Sequence, residues 1–286
     1  RYAFKKYTVS AFLIQRVKKL LIPFLFGLVV LVPLQTLYAR KFFDQYEGGI
    51  FENLQYYFTH LTDFSGYDGA FTPGHLWFIL FLFLISIMAL APFYFYPYER
   101  VRKRVERMPA FGILFLFIPV WLMYYLGNFG GFSIGKNFVL YLAGYYVLSN
   151  DSILEKLEKN IKWLFGLCLM ETIASAALYY KFSYYGDLWI HLIGWNSILV
   201  LLILARKFLN NSNGFTVYFN QASYPVYILH QSILVALAYY VVKNITGIFL
   251  QVVCIWTGSF GLTILAYHLI RKIPLVRNLV GIKGGK

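Results

Sequence analysis

Apolar and polar residues follow one another in long blocks along the chain rather than alternating residue by residue. Runs of about 20 mostly apolar residues are the length that crosses a hydrocarbon core as a helix. Such runs recur at 20–38, 75–98, 110–127, 132–148, 162–180, 187–207, 222–243 and 247–270. The pattern predicts an all-α protein, a polytopic bundle of eight transmembrane helices. The third and fourth runs are divided only by a tight Gly-Asn-Phe-Gly-Gly turn beginning at Gly127. The longest polar stretch, 39–74, is too long for a minimal connection and reads as a functional loop. It carries Asp44, Glu47, Glu52, Asp63 and Asp68, with Gly48, Gly49, Gly66 and Gly69 and several aromatic residues. Thr72 and Pro73 close it as the expected cap and first-turn proline of a helix beginning at His75.

Composition agrees with that pattern. Of 286 residues 59% are hydrophobic and 13% charged, at a mean hydropathy of +0.61. A soluble domain carries about 25% charged residues, so the excess apolar surface here must face lipid. The net charge of +14 does not point to nucleic acid, because the basic residues cluster in short connections between apolar runs. Placing 1–19, the loops near 99–109, 149–161 and 208–221, and the tail from 271 on one side assigns that side 21 of the 26 Lys and Arg. The opposite side keeps Arg40, Lys41, Lys136, Lys181 and Lys243. The positive-inside rule then makes the basic loops and the C-terminus cytoplasmic and 39–74 extracytoplasmic. The chain opens at Arg1 in a basic amphiphilic stretch that is not a signal peptide, which suggests a trimmed or fragmentary N-terminus. A single membrane-embedded domain is expected over 1–286. Cys168 and Cys254 each sit inside an apolar run and read as packing residues.

Polar groups inside spans are costly and therefore informative. Glu171 lies near the middle of its span, either facing a polar cavity or bonded to a neighbouring helix. His191 follows Asp187 at i+4, a local pair, and His268 reads as a packing residue. The segment Ser223-Tyr224-Pro225-Val226-Tyr227-Ile228-Leu229-His230-Gln231 is denser. Helical spacing puts Tyr224, Tyr227 and Gln231 on one face and His230 one turn from Tyr227, a polar stripe suited to a pocket or to interhelical bonding. His75 and Trp77 flank the outer mouth, with Trp77 also placed to anchor the interface. Arg16 and Lys19 sit at an inner helix end, where they set topology or hold an anionic ligand. The sequence has no nucleotide loop, dinucleotide fingerprint, zinc motif or serine elbow.

Four segments in order carry a resemblance: Arg16-Val17-Lys18-Lys19-Leu20-Leu21-Ile22-Pro23-Phe24, Gly74-His75-Leu76-Trp77-Phe78, the Ser223–Gln231 stretch, and Ile270-Arg271-Lys272-Ile273-Pro274-Leu275-Val276-Arg277. Together the chain resembles the acyltransferase-3 family of integral membrane acyltransferases. Its second and third segments are similar to the branch that succinylates osmoregulated periplasmic glucans. The resemblance implies a fold of about ten helices, each of about 20 residues, in a bacterial inner membrane. It implies transfer of an acetyl, succinyl or similar group from cytosolic acyl-CoA to a hydroxyl of an extracytoplasmic carbohydrate, without a metal. Arg16 and Lys19 would then serve the donor, and His75, Trp77, Glu171, Tyr224, Tyr227, His230 and Gln231 the pocket. The family's catalytic histidine, in an R-x10-H helix, has no counterpart here and is expected upstream of Arg1, so the 286-residue chain alone is expected to be inactive. A transporter or flippase of a polar or lipid-linked solute is the alternative, and a sensor without chemistry a third reading.

Overall fold

The computed structural model describes residues 8–129, 132–183 and 186–282. Arg1, Lys5, Lys6, Lys283 and Lys286 of the charge count, and Gly130 and Gly131 of the predicted turn, lie outside them. The chain is almost wholly helical. In order come α1 (Val9–Phe43), α2 (Ile50–Thr59), α3 (Gly74–Phe95), α4 (Tyr98–Glu106), α5 (Ala110–Tyr125), α6 (Ile134–Ala143), α7 (Asp151–Lys159), α8 (Ile161–Phe182), α9 (Asp187–Phe208), α10 (Gly214–Asn244), α11 (Ile248–Arg271) and α12 (Pro274–Leu279). A two-residue antiparallel ribbon, Asn128–Phe129 with Phe132–Ser133, joins α5 to α6.

Among the described residues six helices, α1, α3, α8, α9, α10 and α11, are long and apolar enough to cross a membrane. The expected polytopic helix bundle is present, with six of its eight expected spans in helices of that length. The runs at 110–127 and 132–148 form helices, but short ones. Residues 110–125 are interrupted by turns near Phe115 and again after Leu122, and α6 ends in a wider turn at Gly144–Leu148. Pro119 inside the first of these runs supplies no backbone N–H and crowds the preceding turn. The first span is instead longer than expected. α1 starts at Val9, taking Arg16, Lys18 and Lys19 into the helix, where long basic side chains extend past an apolar stem. Outward-facing apolar side chains, such as Phe249 at 83% and Trp256 at 75% exposure on α11, give these helices a lipid-facing surface. The protein is an integral membrane protein.

The chain forms two compact units, Val9–Phe83 with Asn213 onward, and Leu84–Ser212. In the first, α1 is shaped by two prolines. Pro23 and Pro33 each follow a π-helical turn, Val17–Leu21 and Gly27–Leu31, in which Ile22 N–H bonds Val17 O and Val32 N–H bonds Gly27 O. A proline ring crowds the carbonyl four residues earlier, and the wider turn relieves that crowding. α10 opens with a reciprocal capping box between Asn213 and Thr216 and holds Pro225 within it. The core joins Leu20, Phe24 and Val32 of α1, Leu76 and Ile79 of α3, Ala222, Ile228 and Leu229 of α10, and Tyr267 of α11. Val280 and Ile282, after α12, return to the same cluster. The loop is folded over α1: Asn53 Nδ2 donates to Pro33 O at 3.1 Å, and Tyr57 donates its hydroxyl to Thr72 O at 2.7 Å. The expected cap is present in altered form, since Thr72 Oγ1 accepts from Gly74 N–H at 3.0 Å.

In the second unit Ile113, Leu114, Ile153, Leu157, Leu164, Trp195, Leu199 and Ile203 form the core, and Trp195 Nε1 donates to Ile113 O at 2.9 Å. His191 donates from Nδ1 to the backbone carbonyl of Asp187 at 2.6 Å, while the Asp187 carboxylate takes the Tyr125 hydroxyl. The expected His191–Asp187 pair therefore runs through the carbonyl. Both cysteines are free, and Cys168 lies against Ser197 Oγ. Gly135 packs onto backbone: a Cβ there would strike the carbonyls of Met123 and Leu126. Gly135→Ala should therefore destabilise the α5–α6 hairpin by about 1–3 kcal/mol, lowering the unfolding midpoint in detergent. Gly144→Ala, with open space around it, should hold or slightly raise that midpoint. Equal midpoints for the two variants would contradict this packing.

Candidate functional site

A buried polar network ties α1, α3 and α10 together in the first unit. Gln35 and Ser232 are nearly sealed from solvent. Ser232 donates its hydroxyl to Leu31 O at 2.9 Å, so its oxygen is left to accept from Gln35 Nε2, also at 2.9 Å. His75 sits in the 3₁₀ turn Gly74–Leu76 that opens α3. Its Nε2 faces Ile228 O at 3.1 Å, and a carbonyl can only accept. Nε2 therefore carries the proton and Nδ1 accepts from Gln35 Nε2 at 3.3 Å. Both neighbours demand a donor from Gln35, which fixes its amide orientation.

His230 is assigned the opposite tautomer by the same logic. Its Nδ1 lies 2.7 Å from Tyr227 O, so Nδ1 carries a proton and, in the neutral ring, Nε2 keeps its lone pair. Tyr227 in turn donates its hydroxyl to His75 O at 2.5 Å. The rings of His75 and His230 meet edge to face, 5.2 Å between centroids. Two histidines on different helices are thus held side by side. Both nitrogens of His75 are occupied, whereas Nε2 of His230 makes no hydrogen bond among the described residues. An imidazole with one nitrogen anchored on a carbonyl presents the other to whatever enters the site.

Of the residues singled out in the sequence, His75, Tyr227 and His230 converge here. Gln231 is half-buried and makes no side-chain hydrogen bond among the described residues, and Trp77 packs edge-on against Phe78 and Phe81. Tyr224 faces a different partner. Its hydroxyl donates to Lys19 O at 2.5 Å, the carbonyl that Pro23, having no N–H, cannot bond. Tyr224 and His230 are therefore about 9 Å apart along α10, at 1.5 Å per residue. Glu171 belongs to the Leu84–Ser212 unit, where both its oxygens accept from Asn196 Nδ2 at 2.9 and 3.0 Å. Of the donor pair, Lys19 is exposed, and Arg16 is half-buried with its guanidinium 4.6 Å from the Phe12 ring centroid. The Nε atoms of Arg16 and Arg277 are sealed without a hydrogen-bond partner among the described residues.

Sequence reasoning missed Gln35, Ser232 and Arg277. Gln35 and Ser232 were detectable only as isolated polar residues inside apolar runs. Arg277 lay in a quoted segment without a role of its own.

The fold and network define a polytopic membrane protein with a polar site among its helices. Residues 2–268 match the family model of the acyltransferase-3 family, an acyltransferase domain. The chain belongs to that family, whose members are membrane acyltransferases. No curated protein and no solved structure matches it.

Gln35→Leu removes the only amide donor that serves both Ser232 and His75, and should cost about 1–3 kcal/mol of stability, read as a lower unfolding midpoint. Gln231→Leu, one residue from Ser232 but outside the network, should leave the midpoint within about 0.5 kcal/mol of the parent. A larger effect at Gln231 than at Gln35 would contradict the assignment.

Proposed function

We propose that the protein moves an acyl group, acetyl, succinyl or similar, from acyl-CoA to a hydroxyl of an extracytoplasmic carbohydrate. The observation that carries this reading is the pairing of His230 with His75, 5.2 Å between ring centroids, in a half-buried polar network. An acceptor hydroxyl is a poor nucleophile until a base takes its proton. In the proposed step His230 Nε2, rather than the R-x10-H histidine that the family resemblance implies, takes that proton as the hydroxyl oxygen bonds to the thioester carbonyl. The C–S bond then breaks, and the departing thiolate recovers the proton. His75, with both nitrogens occupied, acts by positioning.

The donor end lies at Arg16 and Lys19. The unused Nε donors of Arg16 and Arg277 support it, because guanidinium groups bind phosphate through paired N–H bonds. Lys18, Arg271 and Lys272 add exposed positive charge nearby in sequence. The basic loops and C-terminus are cytoplasmic on this reading, in a bacterial inner membrane. The two short helices α5 and α6 count as a pair, so the alternation of loops is the same for six spans as for eight.

In the full-length protein in its native membrane, His230→Ala should lower acyl incorporation into envelope glycan by about 10²-fold or more at normal expression. His75→Ala should lower it less. Unchanged incorporation in both variants would sink the proposed site. Replacing Arg16 and Lys19 together with Gln should raise KM for acyl-CoA at least tenfold while leaving the protein inserted. An unchanged KM would reduce these residues to topology signals.

A further inference from the structure

The loop that follows α1 builds a second feature, away from the two histidines. Arg40 lies in the last turn of α1, with its guanidinium carbon 4.0 Å from the ring centroid of Tyr46 and 4.2 Å from that of Tyr56. His60 stacks on Tyr56 at 3.9 Å between centroids, 14° from parallel. Two groups each about 4 Å from one ring centroid cannot share a face, so Arg40 and His60 take opposite faces of Tyr56. The result is a four-layer stack in the order Tyr46, Arg40, Tyr56, His60. Gly69, at φ +86°, lies against the stem of this arginine: a Cβ there would come within 2.7 Å of Arg40 Cδ. Gln45 occupies the left-handed region at φ +53°, a strained conformation for a residue with a side chain, and Tyr46 follows it directly.

The guanidinium so held makes no ion pair or hydrogen bond among the described residues. This is notable in a loop with five carboxylates. Glu52 accepts the Tyr46 hydroxyl at 3.0 Å, Asp63 accepts Ser65 N–H at 2.8 Å, and Asp68 accepts Ala70 N–H at 3.0 Å. Asp44 and Glu47 are exposed. No nitrogen of Arg40 is among the sealed, unpartnered atoms of the chain, so its N–H edge reaches solvent. Aromatic rings shield both faces while the edge, which carries the paired N–H donors, stays open. Such a fork matches a carboxylate or phosphate in bidentate geometry.

We propose that Arg40, clamped between Tyr46 and Tyr56, is an oxyanion-binding site for the carboxylate or phosphate of a ligand that reaches the loop end of α1. The oxyanion has two possible sources, an acidic sugar or a phospholipid headgroup. The site does not rest on the acyl-transfer reading, because its test reads binding alone.

The test is the unfolding midpoint of the full-length protein in a non-ionic detergent at constant ionic strength. It is titrated with glucuronate, inorganic phosphate, short-chain phosphatidylglycerol and, as a neutral control, glucose. At least one anion should raise the midpoint saturably, and glucose should not. A response to glucuronate assigns the site to an acidic sugar. A response to phosphatidylglycerol without one to glucuronate assigns it to lipid. Arg40→Lys keeps the charge but loses the planar fork, and should weaken the half-saturating concentration at least tenfold. Tyr46→Ala, which leaves Arg40 in place and removes one shielding face, should weaken it severalfold and keeps the test informative if Arg40→Lys fails to fold. Tyr46→Phe should respond like the parent. No saturable response to any anion overturns the proposal, as does a parent-like response in Arg40→Lys or, where that variant does not fold, in Tyr46→Ala.

Discussion

Inside a lipid bilayer a polar group has no water to turn to, and a donor or acceptor left unpaired there is costly. The first unit is arranged around that constraint. Gln35, Ser232 and His75 sit on three helices that are separate in sequence, and each satisfies another or a backbone carbonyl. Leu31 O and Ile228 O each receive a side-chain donor, so the network is tied to the backbone of α1 and α10. The same bonds leave little choice of protonation. His75 is fixed with its proton on Nε2 and His230 with its proton on Nδ1. The site's chemistry is therefore a consequence of the rule that holds the helices together.

Proline shapes both ends of this arrangement. Pro23 and Pro33 each follow a π-helical turn in α1, and each lies beside an acceptor that a distant side chain uses. Tyr224 reaches Lys19 O, four residues before Pro23, and Asn53 reaches Pro33 O. One bond fastens α10 and one fastens the loop helix α2. The basic rim and the loop are thus attached to the same long helix, at opposite ends. Acyl transfer between compartments would use such a helix, with the donor's phosphates at one end and the acceptor at the other.

Much of the fold was legible because lipid forces a visible signature, about 20 apolar residues per crossing. Five of the long helices begin or end within a few residues of their apolar runs. The errors have physical causes. Arg16, Lys18 and Lys19 read as loop, yet long basic side chains allow a helix to continue past its apolar part, and α1 starts at Val9. The runs at 110–127 and 132–148 read as spans, but Pro119, local turns and the ribbon at Asn128–Ser133 leave them short. At the site, His75, Tyr227 and His230 stood out as polar residues at helical spacing. Gln35 and Ser232 did not, because their bond joins residues 197 apart in the chain, and no local pattern encodes that separation. Glu171 read either as a pocket residue or as one bonded to a neighbouring helix, and Asn196 on the next helix is its partner.

The proposed chemistry requires the two histidines to hold opposite tautomers. Isotope-labelled histidine NMR on the purified protein in nanodiscs, with His75→Gln and His230→Gln variants to assign the signals, measures this directly. The expected result is one ring protonated at Nε2, lost in His75→Gln, and one protonated at Nδ1 with a bare Nε2, lost in His230→Gln. A protonated Nε2 on His230, whether as the other tautomer or as an imidazolium, would contradict the assignment and remove the base from the proposed site.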